Sequence, residues 1–541
     1  MITGGMQRGT LNVGALLDFA AVAHPDVPIV SQATDEPTFQ YDYAGLSRRV
    51  AALAHALLSL GIRSGDRVAT LAWNTHRHVE LMYAVPRIGA VLRTANPRLS
   101  DDQLVYMLDH GGAGYLLLDP TMLPLVQRIA PRLAHVRRFV MLGAAAQDGK
   151  DALGALDYET LIAYRSVSFD WPEVDEYAGA LLCYTGGTTG DPKGVLYSHR
   201  SIVLHALAAG LTGAMNLSAF DVVMPCSSLY RASGWGLPYI APINGCALVL
   251  PGSDFSPPGL HALIERDGVT FAGGVSTIWT GLLAHLDATA ARTSLRRVMI
   301  GGSAVSRTMF NRFREHGVEV LQLWGMTETS PLGVAATATP ALAAATGGDL
   351  EATLWARQGR RVFGLELRIV DDRGGPVPSD GETSGALQVR GPWVLQRYYG
   401  AQSDAVDADG WFDTGHVATI DGQGFVRLTD RAKDVIKSGG EWISSIDLEN
   451  AAVACPGVRI AAAFGVPHPR WDERPVLVIE RDDDAGVDAA EIRAFLSTRV
   501  AKWWIPDAIL FESVPLTATG KIDKKALRAR YDTLFMSGAN E

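Results

Sequence analysis

Long apolar runs are missing from this chain. Nowhere in its 541 residues does a stretch reach the roughly 20 consecutive apolar residues that a bilayer-spanning helix needs. The nearest candidate, LHALAAGLTGAMNL, is broken by His205 and by glycines, so no membrane span is expected. Cysteine is scarce. The four present (Cys183, Cys226, Cys246, Cys455) are scattered and share no metal-binding spacing, which excludes a disulfide scaffold and suits a reducing cytoplasm. A basic surplus is also lacking. The net charge of -10 argues against nucleic acid as a partner, because neutralising phosphates takes clustered Lys and Arg. The first residues, MITGGMQRGTLNVGALLDFAAVAHP, show no charged segment followed by an apolar one, so no signal peptide is read and a cytoplasmic location is expected. Internal repeats and low-complexity tails are absent.

What is present is ordinary for a globular protein: 48% hydrophobic and 20% charged residues. The length suggests one large and one smaller domain. From about residue 41 to 420, short strand-like runs alternate with helical ones. RVATLAW (67–73) precedes HVELMYAVPRIGAV, and GYLLLD (114–119) precedes TMLPLVQRIAPRLAHV; RFVML, DVVMP, CALVLP and RRVMIGG follow. This alternation predicts a parallel α/β sheet. The alanine-rich stretch 333–349 reads equally as loop or weakly capped helix. Past residue 360 the pattern turns to strands and turns, and a smaller α/β unit runs from about Ile436 to the end. The fold expected is therefore α/β, with a large multi-sheet domain over residues 1–430 and a small α+β domain over 431–541.

The most informative segment is YTGGTTGDPKGVLYSH (184–199). Glycines let a backbone turn tightly and aim its N–H groups at an anion. Thr185, Thr188 and Thr189 add hydroxyl donors among Gly186, Gly187 and Gly190, and Lys193 adds a mobile positive charge. That is the composition of a polyphosphate-holding loop. It is not a Walker A loop, since here lysine precedes glycine.

With this loop on the page, the chain resembles the adenylate-forming superfamily of acyl-CoA synthetases, luciferases and peptide-synthetase adenylation domains. Further matches follow in family order: LWGMTETSP (323–331), GWFDTGHVA (410–418), TDRAKDVIKSGGEWISS (429–445) and PLTATGKIDKKALR (515–528). SGGEWISS, PHPRWDERP (467–475) and AKWWIP (501–506) resemble the medium-chain and methylmercaptopropionate-type acyl-CoA ligases. The resemblance implies two half-reactions in one cleft, joined by rotation of a mobile small domain. A carboxylic acid and ATP give acyl-adenylate and pyrophosphate, and CoA then displaces AMP. The cofactors implied are ATP or acyl-AMP, Mg²⁺ and coenzyme A.

Residue by residue, the resemblance implies that Thr327 touches the α-phosphate and Glu328 holds Mg²⁺. Trp324, Gly325, Met326, Gly301, Gly302 and Ser303 would line the nucleotide site. Lys521 would reach the reacting carboxylate and α-phosphate, and Arg431 the ribose. Lys433 or Asp434 would mark the hinge, and Gly439, Gly440, Glu441 and Trp442 the pantetheine channel. Arg231, Trp235, Gly236, Gly274 and Val275 would surround the acyl group, the glycines leaving room for a bulky acid. Glu449 reads as structural, Lys524 and Lys525 as surface charges.

Four departures stand out. Gly186 replaces a serine; His416 stands where an aspartate should accept both ribose hydroxyls; Arg231 occupies a histidine position; and GVST (274–277) replaces G-V-P-T. Two readings of the changed nucleotide site stay open. Either this is a complete ligase with a rearranged site, Asp413 taking over from the aspartate, or adenylation is weakened and the chain transfers acyl-adenylate supplied by a separate adenylating enzyme. A non-catalytic nucleotide- or acyl-CoA-binding protein is the remaining alternative. A homodimer is the assembly that soluble enzymes most often form.

Overall fold

The computed structural model describes the chain except residues 1–3, 35, 145–146, 186–191, 303–304, 347–349, 372, 432, 439–440, 483–485, 518–520 and 537–541. Its described strands form three sheets. The first has seven strands, with Arg67–Leu71 and Val91–Thr94 side by side, then Gly179–Tyr184 and, antiparallel at the edge, Gly194–Ser198. These inner strands are buried and mostly apolar, the expected habit of parallel sheet covered on both faces, with Arg93 a charged exception.

The second sheet is a composite of thirteen strands. Its parallel part contains Val222–Pro225, Phe271–Gly274, Arg297–Ile300 and Glu319–Trp324. It continues as an antiparallel extension through Val334–Ala335 and Gly359–Arg361 to Phe425–Arg431, Phe412–Ile420 and Gly385–Arg390. The switch after residue 360 follows the change in sequence pattern from strand–helix alternation to strands joined by turns. The ambiguous stretch 333–349 divides into a two-residue strand, Val334–Ala335, and a short helix, Pro340–Ala345, capped by Thr339.

The third sheet belongs to the C-terminal part. Val458–His468 pairs along its length with Asp472–Arg481, which carries Ala508–Phe511 on its other edge. Phe425–Arg431 closes the large sheet, and Ile436–Ser438 opens the small one. Between them, the Ser445 N–H donates to Asp430 at 2.6 Å and Arg427 pairs with Asp447 at 2.7 Å. Lys524 is not a surface charge. Its side chain is 11% exposed and pairs at 2.8 Å with Glu449, itself 14% exposed. Glu449 also accepts from the Ala463 N–H at 2.9 Å, so it ties helix Ser445–Val453 to the small sheet.

Candidate active site

The residues flanking the expected phosphate loop pair as a hairpin. Tyr184, the last residue of Gly179–Tyr184, lies opposite Gly194, the first of Gly194–Ser198. One residue further out, the Thr185 N–H donates to the Lys193 carbonyl at 3.0 Å, and Thr185 Oγ1 accepts from the Lys193 N–H at 3.3 Å. The predicted phosphate contacts Gly186, Gly187, Thr188, Thr189 and Gly190 lie outside the described residues. The residues flanking them lie at the C-terminal end of the parallel strand Gly179–Tyr184, where open α/β sheets bind ligands.

A second wall comes from the end of Glu319–Trp324. No side chain fits at Gly325, because a Cβ there would collide with the Pro331 carbonyl. This close approach lets Thr327–Thr329 turn back as a single 3₁₀ turn. The Thr327 carbonyl accepts from the Tyr197 hydroxyl at 2.6 Å, tying this turn to the phosphate-loop hairpin. Glu328 is 7% exposed and accepts from the Tyr398 hydroxyl at 2.8 Å. Burial raises the Glu328 carboxyl above the ordinary carboxylate value, while the Tyr398 hydrogen bond and the charges of Lys193 and Lys521 pull it back. Lys193 Nζ sits 4.9 Å from the Tyr398 ring centre. A single buried carboxylate can serve a divalent ion shared with phosphate oxygens, since Mg²⁺ needs only one or two protein carboxylates.

Lys521 comes from the C-terminal part, yet it reaches this wall. A Cβ at Gly302 would lie 3.8 Å from Lys521 Cε, 4.0 Å from its Nζ and 3.8 Å from Val275 Cγ1. Gly302 has φ +80°, a conformation that L side chains rarely adopt. Gly302 thus adjoins both Lys521 and Val275, and the charges of Lys193 and Lys521 both act on Glu328.

The segment expected to line the acyl group forms an unusual turn. Ala232, Ser233, Gly234, Trp235 and Gly236 have φ of 33°, 39°, 61°, 55° and 75°. Left-handed backbone costs about 1–2 kcal/mol for each L residue, so the surrounding packing must hold this run. It places the Trp235 ring 3.4 Å from where a Gly301 side chain would begin. The glycines do not all make room for a bulky acid. A Cβ at Gly236 would meet His205 at 2.5 Å, and one at Gly274 would meet Trp279 at 3.0 Å. Their missing side chains are already replaced by core. Arg231, just before the turn, is half-buried; burial lowers its pKa, the Tyr230 hydroxyl raises it and Arg98 lowers it further.

At the ribose position, His416 lies in register with Arg431. Its ring meets Trp324 edge-on at 5.6 Å, and its Nδ1 is 3.2 Å from the Thr414 carbonyl. Asp413 is exposed, and its carboxylate accepts from the Gly415 N–H at 2.9 Å. The side chains of Arg431, Glu441 and Trp442, together with Ser303, Gly439 and Gly440, lie outside the described set, while Lys433 is exposed.

The profile of AMP-binding enzymes matches residues 17–399, and that of the AMP-binding enzyme C-terminal domain matches residues 447–521. The chain belongs to the AMP-binding enzyme family. It has the fold of the adenylate-forming superfamily and is an AMP-forming acid–thiol ligase, making acyl-CoA through acyl-adenylate. It is 45% identical over 534 residues to a 3-methylmercaptopropionyl-CoA ligase of Ruegeria pomeroyi, covering 98% of each chain. It is 41% identical over 541 residues to a medium-chain-fatty-acid–CoA ligase of Ectopseudomonas oleovorans, covering 99% of each. Among solved structures it resembles ATP-bound MatB from Rhodopseudomonas palustris, with TM-score 0.80, 24% identity and coverage of 97% of this chain and 100% of that one. That likeness concerns the fold.

Tyr197 and Tyr398 escaped the sequence reading. Tyr197 lies within the 184–199 segment but on its strand side, and Tyr398 lies outside the motifs; only the folded chain brings their hydroxyls to the Thr327–Glu328 turn.

Proposed function

We propose that this enzyme activates a mostly apolar, short- to medium-chain carboxylic acid, 3-methylmercaptopropionate among the candidates, and that its handling of ATP is weakened at His416. The observation that carries adenylation is Lys521 beside Gly302, with its charge acting on Glu328. A carboxylate oxygen would attack the α-phosphorus, and the bond to pyrophosphate would break. Lys521 and Lys193 supply fixed positive charge where negative charge develops, and such preorganised charge is worth about 10²–10³ in rate per donor. Glu328 would hold Mg²⁺, which when bound neutralises phosphate charge. In the second half-reaction the CoA sulfur would form its bond to the acyl carbon as AMP leaves.

We place the division between domains at 430/431, with the hinge at Lys433–Asp434. Support comes from the change of sheet between Arg431 and Ile436, and from Asp434 pairing with Arg528 of the small unit at 2.9 Å. Rotation there would carry Gly439–Trp442 toward the pantetheine path. Exposed Phe19, Val22, Leu207 and Leu211, on adjoining helical segments, offer apolar surface for a homodimer. The four free, buried cysteines suit the cytoplasm, and among the described residues no helix is long and apolar enough to cross a membrane.

The test separates the half-reactions. Pyrophosphate release is measured with ATP, Mg²⁺ and a panel of C3–C8 acids, and thioester formation with synthetic acyl-adenylate plus CoA. The reading predicts pyrophosphate release that saturates only at raised ATP, and brisk thioester formation without ATP. No thioester from any adenylate of the panel would refute the substrate class. No pyrophosphate at any ATP concentration would mean that a separate enzyme supplies the adenylate.

A further inference from the structure

Arg93 is a cation in a place built for apolar side chains. It is the penultimate residue of Val91–Thr94, with Ala69 and Leu182 as its neighbours on the flanking strands. The side chain is 0% exposed, and none of its three guanidinium nitrogens has a hydrogen-bond partner among the described residues. A buried charge so placed is costly. Burial pulls its pKa down to about 10, so it stays charged at neutral pH.

The surroundings accommodate it deliberately. Its guanidinium carbon lies 4.7 Å from the Tyr184 ring centre, over the face of the ring, while the Tyr184 hydroxyl meets His110 Nδ1 at 2.7 Å. Gly111 makes the space. A Cβ there would stand 2.5 Å from Arg93 Nε, although the Gly111 φ of -72° suits any residue. Glycine is therefore required by the arginine, not by the turn. Tyr184 is the stem from which the phosphate loop leaves, and the Gly194 stem lies against it, a Cβ at Gly194 falling 3.3 Å from Tyr184 Cζ. Arg93 thus sits at the C-terminal end of the parallel strands, beneath both roots of the loop.

We propose that Arg93 is a positioning residue for nucleotide. Held against Tyr184, it fixes the phosphate-loop stem and supplies a permanent positive potential beneath the β- and γ-phosphates, without touching them. The proposal rests on reading 185–190 as the phosphate loop. Its signature is selectivity: nucleotides carrying β- and γ-phosphates should feel the charge more than AMP does.

Calorimetric binding of ATP and of AMP to the full chain, with Mg²⁺ present, tests this without requiring turnover. Arg93→Met should weaken ATP by about tenfold or more, the order expected when one fixed charge in a protein interior is removed from a polyphosphate's field, and AMP by less than threefold. Arg93→Lys should restore most of the ATP affinity. Gly111→Ala, which displaces the guanidinium but keeps its charge in the chain, should show a milder form of the same selectivity, and it serves if Arg93→Met does not fold. Equal losses for ATP and AMP would mean that Arg93 only packs, and unchanged binding would mean that its charge does not reach the site; either overturns the proposal. A wild-type chain that binds AMP but gains nothing from the extra phosphates would instead remove the phosphate-loop reading, and the proposal with it.

Discussion

Replacing His416 by aspartate should strengthen ATP binding, by an amount that the geometry bounds. With Nδ1–H donating to the Thr414 carbonyl at 3.2 Å, the imidazole has Nε2 as its one acceptor. A carboxylate at the same position offers two oxygens and a negative charge. If His416 faces the ribose, as its contact with Trp324 supports, it can accept from one ribose hydroxyl where an aspartate accepts from two. A hydrogen bond to a charged group is worth about 1.5–3 kcal/mol, or about 10- to 150-fold in affinity. The expected result is a fall in the KM for ATP of that order in His416→Asp, read by pyrophosphate release, with thioester formation from acyl-adenylate changed far less. The one-acceptor geometry makes a sharper claim. Of 2′-deoxy- and 3′-deoxy-ATP, the wild type should use one as well as ATP itself, whereas His416→Asp should discriminate against both. A folded His416→Asp with an ATP KM within twofold of the wild type would refute the reasoning. So would a wild type that already rejects both deoxy analogues.

Three further outcomes are expected. Lys521→Ala should cut pyrophosphate release by about 10²–10³ and leave acyl-adenylate plus CoA within about threefold; equal losses in both assays would mean the lysine does not act in adenylation alone. Tyr398→Phe removes a hydrogen bond that helps keep Glu328 ionised, so its carboxyl should titrate higher; because Mg²⁺ needs the ionised form, the acid limb of the pH–rate profile should move to higher pH than in the wild type. Lys524→Met leaves Glu449 buried without its cation, at a cost of about 3 kcal/mol. Glu449 is already raised by burial, and a raised carboxyl favours the fold as pH falls, so the thermal-unfolding deficit of this variant should be largest near pH 8 and shrink toward pH 5.

The contrast between Lys521 and Lys524 shows what a sequence makes legible and what it does not. Both stand in one short segment, and composition alone predicts solvent for each. Lys521 is read toward the cleft because a motif carries a function with it, and it does lie beside Gly302. Lys524 was misplaced because its partner Glu449 lies on a different helix, and nothing local to either residue announces a pair that folding makes. The same limit hid Tyr197, Tyr398 and Arg93. Period and apolar runs expose the parallel sheet, since every interior strand must present the same kind of surface to its helices. They are silent about a single hydroxyl or guanidinium arriving from a distant strand. The glycines divide along the same line. At Gly302 a positive φ and a neighbouring lysine agree with a ligand-facing role, whereas at Gly236 and Gly274 the space left by the missing side chain is filled by His205 and Trp279. A glycine in a motif thus signals that something approaches closely. Only the fold says whether that is substrate, core or, as at Gly111, a buried cation.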